Sequence, residues 1–191
     1  MNLLTPPEMP PSPMTIDEFF DWTETQERRY ELVEGVACMM TMVKRGHSLI
    51  AGNIVAALRT QIDLDAYFIH QGDFALPTGP ASVRYADVMV ERRGGSVEDR
   101  ATDSAVVLVE ILSESTKRVD FGAKAREYMR LPSLECYLIV DQHRREAWLW
   151  ARDAAGHWPD AALHLTAPDA QFRLEAVACT LGFDDVYRDV R

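Results

Sequence analysis

The sequence predicts an α/β fold, a mixed β-sheet flanked by helices, with β additions at both ends. Three stretches carry this reading. "AVVLVEILS" (105–113) and "ECYLIVD" (135–141) are short apolar runs bounded by polar residues, as in strands covered on both faces. Between them "DFGAKAREYMRL" (120–131) has the character of a helix, and strand, crossover helix and strand imply a parallel pair with a right-handed connection. Upstream, "GHSLIAGNIVAALRTQI" (46–62) sets Leu49, Ile50, Ile54, Ala57, Leu58 and Ile62 close to helical spacing.

The remaining elements follow in chain order. Residues 1–13 contain Pro6, Pro7, Pro10, Pro11 and Pro13 and read as an extended or flexible tail before one domain over 14–191. "TIDEFF" fits a capping box, with Thr15 as N-cap and Glu18 three residues on, opening a helix to about Thr23. "RYELVEGVACMMT" reads as a hairpin turning near Glu34-Gly35. "YFIHQGDFALP" and "YADVMVE" are strand-like, while "ETQERRY", "PTGPAS" and "ERRGGSVEDRATDS" read as solvated loops. Asp120 suits the N-cap of the helix at 120–131, and Pro132 sets its far limit. "REAWLWARD" follows "ECYLIVD" closely enough for an antiparallel hairpin, and the last thirty-odd residues read as short β segments with a closing helical turn.

Composition narrows the class. The chain has 191 residues, 47% hydrophobic and 26% charged, as expected of a globular protein. No apolar run approaches the roughly 20 residues of a membrane helix, and the N-terminus has neither the basic segment nor the apolar core of a secretory signal. Cys38, Cys136 and Cys179 form no CxxC pair, which points to reduced thiols and a cytoplasmic protein. The histidines show no zinc spacing, and no GxSxG context supports Ser113, Ser115 or Thr116 as nucleophiles. A net charge of −10 argues against a generic basic nucleic-acid binder, though not against an enzyme with a local basic surface and a bound cation.

Glu110 raises the chemical question, because a carboxylate near the end of a buried strand must be neutral, salt-bridged or bound to a cation. Asp87, in "RYADVMVE", lies on the preceding strand. Two carboxylates near the ends of adjacent strands can hold one magnesium ion, which favours oxygen donors. The alternative is that Asp87 faces a loop and Glu110 pairs with an arginine. Asp120, Lys124 and Tyr128 share a helical face at i, i+4, i+8, so Lys124 can point at the same place. The alternative there is a surface Asp120–Lys124 ion pair. His47 opens the first long helix, where it can contact a phosphate or exchange a proton. Lys117, Arg118, Lys124, Arg126 and Arg130 against Asp120 and Glu127 make a local excess of positive charge, either a phosphate contact or a solvated face.

"YADVMVE", "VLVEILSEST", "DFGAKAREY" and "ECYLIVD" together resemble the PD-(D/E)xK nuclease superfamily, closest to its Uma-type branch of bacterial restriction-endonuclease-like proteins; "RYELVEGVACMM" and "GHSLIAGNIVAAL" match that branch's first hairpin and helix. The resemblance spans about residues 14–190 and implies a restriction-endonuclease-like sheet. In it Asp87 and Glu110 match the two acidic motif positions. Ala86 replaces the motif proline, and Leu112 stands where the usual lysine would be. The resemblance implies that Lys124 supplies that lysine from the following helix. It further implies Mg2+ (or Mn2+) held by Asp87, Glu110, the backbone carbonyl of Ile111 and one of Glu31 or Glu34, with Glu31 preferred. Lys124 and His47 then serve catalysis, and Lys117, Arg118 and Arg126 contact nucleic acid. The expected activity is endonucleolytic hydrolysis of DNA by a homodimer. The rivals are a catalytically inactive scaffold or binding protein of the same fold, and a nuclease acting on RNA or single strands.

Overall fold

A computed structural model describes residues 13–113 and 120–190. Helix α1 (Ile16–Thr23) starts at Thr15, whose side chain accepts from the Glu18 amide while the Glu18 carboxylate accepts from the Thr15 amide. This closes the expected capping box and satisfies two otherwise orphan donors. Strands β1 (Tyr30–Val33) and β2 (Val36–Met39) form the expected hairpin. Its two turn residues both lie at positive φ, Glu34 at 50° and Gly35 at 83°. Gly35 is required there twice over, because a Cβ would also sit 2.6 Å from Pro13.

Helix α2 (Arg45–Arg59) is followed by β3 (Tyr67–His70), β4 (Leu76–Gly79), β5 (Ser82–Arg84), β6 (Val88–Arg92) and β7 (Ala105–Leu112). Two expectations change here. "YFIHQGDFALP" is two strands in different sheets, separated where Gly72 takes φ 72°. "PTGPAS" is not a solvated loop. It spans the β4–β5 hairpin, and Ser82, Val83 and Arg84 are all buried, with β1 paired beside them and Arg84 bonded to Glu31 and Glu127.

Helix α3 opens with a π-helical turn, Asp120–Lys124, and continues as an α-helical turn, Ala125–Tyr128. Asp120 thus belongs to the first turn instead of capping it, and the helix ends well before Pro132. The chain closes with β8 (Cys136–Asp141), β9 (Ala147–Ala151), β10 (Leu163–Leu165), β11 (Gln171–Leu174), β12 (Cys179–Gly182) and the helical turn α4 (Phe183–Val186).

The main sheet has the order β10-β9-β8-β7-β6-β3, with β7 and β8 parallel as expected and its other pairs antiparallel. A second sheet, β2-β1-β5-β4, is wholly antiparallel, and β11 pairs with β12. All eight residues of β7 are buried because both faces are covered. Ile50, Ile54 and Leu58 of α2, with Phe172 and Leu181, pack on Val107, Val109 and Ile111. Ala125 and Tyr128 of α3 pack on the other face with Leu108, Tyr137 and Ile139. Phe19 and Phe20 of α1 cover Leu32 and Val83 of the second sheet. No helix among the described residues is long and apolar enough to cross a membrane.

Candidate active site

The alternation of β7 places Glu110 on the α3 face, between Leu108 and Leu112, while Val109 and Ile111 face α2. The β6–β7 ladder ends at the pair Val88↔Val109. Beyond it the Asp87 carboxylate takes over, accepting from the Ile111 amide at 2.7 Å. His47, in the first turn of α2, brings its Nε2 to 3.1 Å from the same Asp87 oxygen. The two helices therefore serve the end of the sheet from opposite faces, α2 at Asp87 and α3 at Glu110.

Glu110 is buried, and two donors meet its Oε1: Lys124 Nζ at 3.0 Å and the Tyr128 hydroxyl at 2.8 Å. Lys124 Nζ also lies 3.4 Å from Glu31 Oε1 and 3.9 Å from Asp120 Oδ1. The pairing alternatives are thereby resolved. Glu110 pairs with a lysine, not an arginine, and the Asp120–Lys124 pair is buried, not on the surface. The arginine nearby, Arg84, is itself buried and holds Glu127 through two bonds of 2.6 and 2.7 Å and Glu31 through one of 2.9 Å. Thr78 adds a bond to Glu127. A continuous charged chain, Glu127–Arg84–Glu31–Lys124–Glu110, so ties the second sheet to α3 and the main sheet.

Burial drives the ionisation of these groups, and their partners oppose or outweigh it. Desolvation raises the Glu110 pKa to about 8; Lys124 pulls it down, while Asp87 and Asp120 push it up. For Lys124, desolvation favours the neutral amine, but Glu110, Glu31 and Asp120 outweigh it and hold the ammonium above its ordinary range. Arg84 is likewise held charged against burial by Glu127 and Glu31. Glu127, although burial acts against its charge, is kept below the usual carboxylate range by Arg84. The Tyr128 hydroxyl is pushed up by burial.

A cleft of about 450 Å³ opens onto the group, lined by Glu31, His47, Asp87, Glu110, Asp120 and Lys124. Met39 and Met42, both exposed, form an apolar lip on it. The sequence-predicted Asp87, Glu110, Lys124, His47, Glu31 and Ile111 all line this cleft. Glu34 does not line it; it sits in the β1–β2 turn, its amide on Ser82 Oγ. Arg126 is exposed on α3 and lies outside the cleft lining. Lys117 and Arg118 lie outside the described residues. Sequence reasoning missed Arg84 and Glu127 as parts of the cluster and the role of Tyr128. The spacing of Tyr128 from Lys124 was the available signal for the tyrosine.

Among the described residues, no three carboxylate, imidazole or thiol groups are gathered closely enough to enclose a metal ion by themselves. The donor chemistry nevertheless fits a hard cation that keeps several waters. The bonds to Asp87 all fall on Oδ2 and those to Glu110 on Oε1, so among the described residues Asp87 Oδ1 and Glu110 Oε2 take none. Glu31 Oε1 is buried and has no hydrogen bond. Among the described residues, the cations Arg84 and Lys124 stand beside the carboxyl groups of Glu31, Glu110 and Glu127.

Known proteins share this architecture. The chain is 25% identical over 187 residues, 95% of each chain, to an uncharacterized protein of Synechocystis sp.. In fold it is similar to a crystal structure from Anabaena variabilis described as "a putative nuclease belonging to DUF820", with a TM-score of 0.73 at 16% identity, covering 92% of this chain and 98% of that one. A family model, "Uma2: Putative restriction endonuclease", matches residues 16–180. That match runs from the first residue of α1 into β12 and takes in Glu31, His47, Asp87, Glu110 and Lys124 together, and the chain belongs to the Uma2 family.

Proposed function

We propose that this chain is a metal-dependent endonuclease that hydrolyses phosphodiester bonds of DNA in the cleft at Asp87 and Glu110. The observation that supports this most directly is the meeting of Lys124 Nζ and Glu110 at 3.0 Å beside Asp87, at the ends of adjacent strands. In this reading Asp87, Glu110 and the Ile111 carbonyl, with Glu31 from the second sheet, hold Mg2+ or Mn2+. Bound there, such an ion lowers the pKa of a water and offsets charge on the scissile phosphate.

The chain's own groups do the rest. Lys124 orients the attacking water and donates to a phosphate oxygen as negative charge grows there. Tyr128 fixes the Glu110 rotamer by donating to Oε1. His47 steadies Asp87 and stands at the cleft wall, where it can protonate the leaving oxygen. A homodimer would present two such clefts to the two strands of a duplex.

One observation favours a second reading. The Lys124 ammonium already stands among Glu110, Glu31 and Asp120, where it can do the work of a structural cation. On that reading the fold is retained for binding without catalysis.

Incubation of supercoiled plasmid and of labelled duplex, single-stranded and RNA oligonucleotides with Mg2+, Mn2+ or EDTA separates these readings. Nicking of DNA should require the ion. It should fall more than about a hundredfold in Glu110→Gln, beyond the roughly 10–100-fold that loss of an outer-shell partner costs. Wild-type protein that leaves every substrate intact in Mn2+ would establish the binding-only reading.

A further inference from the structure

A second cavity lies at the opposite end of β6 from Asp87. Glu91 marks it, four residues along the strand and so about 13 Å away at roughly 3.3 Å per residue. The cavity measures about 630 Å³ and shares no lining residue with the catalytic cleft. Phe68, Phe74 and Pro77 give it apolar walls, contributed by both the main and the second sheet. His70 stacks on Phe74 with ring centroids 4.5 Å apart. Its Nε2 lies 2.9 Å from Glu91 Oε1 and fixes that carboxylate in place. The Glu91 side chain is only 9% exposed, and among the described residues no donor reaches its Oε2.

The charges of this region, four acids and three arginines over 91–103, nearly balance along the chain but not in space. The stretch "ERRGGSVEDRATD" (91–103) carries Arg92, Arg93 and Arg100 among its acids. The fold turns each arginine away from the cavity. Arg92 pairs with Glu135, and Arg93 covers one face of the Phe68 ring, 4.2 Å from its centroid, and donates to the Leu64 carbonyl. Arg100 pairs with Asp21 and Glu24. Glu91, Asp99 and Asp103 remain as lining residues, and among the described residues no lysine or arginine lines the cavity. Aromatic walls above a fixed, desolvated carboxylate suit a cation that is flat or carried on an apolar stem. One face of Phe68 is taken by Arg93 and one of Phe74 by His70, so what the rings leave open packs the stem, and the carboxylate accepts the N–H donors in charge-assisted bonds.

We propose that this cavity is a binding site for an organic cation, a guanidinium or primary ammonium on a short apolar stem, separate from the catalytic cleft. Glu91 is the anionic anchor, His70 orients it, and Phe68 and Phe74 hold the stem.

NMR titration of the full-length chain, isotopically labelled at aromatic and methyl positions, tests this in EDTA, so that neither cleavage nor a metal enters the readout. The probes are agmatine, capped arginine amide, and neutral N-butylurea as the uncharged control. Agmatine and capped arginine should shift the ring signals of Phe68, Phe74 and His70 saturably, and N-butylurea should bind at least about tenfold more weakly. Glu91→Gln and, independently, the volume-reducing Phe74→Leu should each weaken agmatine about tenfold or more. Tighter binding of the capped arginine than of agmatine would indicate an arginine borne by a protein; the reverse would indicate a free small cation. Equal response to the neutral control would overturn the proposal. So would shifts confined to the surroundings of Asp87 and Glu110, or no shift with either cation.

Discussion

Tyr128 and Lys124, four residues apart on α3, donate to one and the same oxygen of Glu110, at 2.8 and 3.0 Å. The helix thus presents a neutral and a charged donor to a carboxylate that the sheet has buried.

Removing the neutral donor isolates its contribution. Tyr128→Phe keeps the ring packed against Tyr137 and deletes the hydroxyl only. At pH 9, above the Glu110 value of about 8, the loss of a buried hydrogen bond to the charged acceptor should cost about 1.5–3 kcal/mol in urea unfolding. Cleavage should fall as well, because Glu110 loses a rotamer constraint. A variant as stable and as active as wild type would show that Lys124 alone holds the carboxylate.

Removing the charged donor should make stability depend on pH. Glu110 has a folded pKa of about 8, against roughly 4.3 for an unfolded glutamate. A group raised in this way favours the folded state fully below the unfolded value, and loses that contribution as pH rises through the folded one. Lys124→Met removes the countercharge and raises Glu110 further. Its deficit in thermal or urea stability against wild type should therefore be larger at pH 9 than at pH 6, measured in EDTA. A deficit that does not change with pH would mean that Glu110 does not lean on Lys124.

Arg84 offers the strongest test of the charged chain. Its side chain is 3% exposed and serves both Glu31 and Glu127. Arg84→Met strands two carboxylates, and breaking a buried pair from one side typically costs about 3–5 kcal/mol. Adding Glu127→Gln to that variant should recover part of the loss. Additive losses in the double variant, followed by urea unfolding, would show the pair to be uncoupled.

What was legible in the sequence was local. The capping box at Thr15 and Glu18, the hairpin at Glu34-Gly35 and the parallel β7–β8 pair each follow from a few adjacent residues. The lone carboxylate in "AVVLVEILS" and the spacing from Asp120 to Lys124 to Tyr128 raised Asp87, Glu110 and Lys124 as candidates, and only the family resemblance chose one shared place for them over a surface ion pair. Arg84 was not legible, because its burial is decided by Glu31 and Glu127, each more than forty residues away. Counting charges from 117 to 130 could not tell that Lys124 turns inward and that Arg126 stays in solvent. The nearly balanced charges of 91–103 hid a cavity for the same reason, since only tertiary contacts decide where each side chain goes.

Helix α3 carries one whole side of the charged cluster. The carboxylates Asp87, Glu110 and Glu31 are carried on or beside strands, whereas Lys124, Tyr128 and Glu127 all ride on this short helix. A small outward swing of that one element would take both donors from Glu110 and the anchor from Arg84 at a stroke, while leaving the acidic face of the sheet intact. A substitution that loosens the packing of α3 would therefore unsettle Glu110 and Arg84 together.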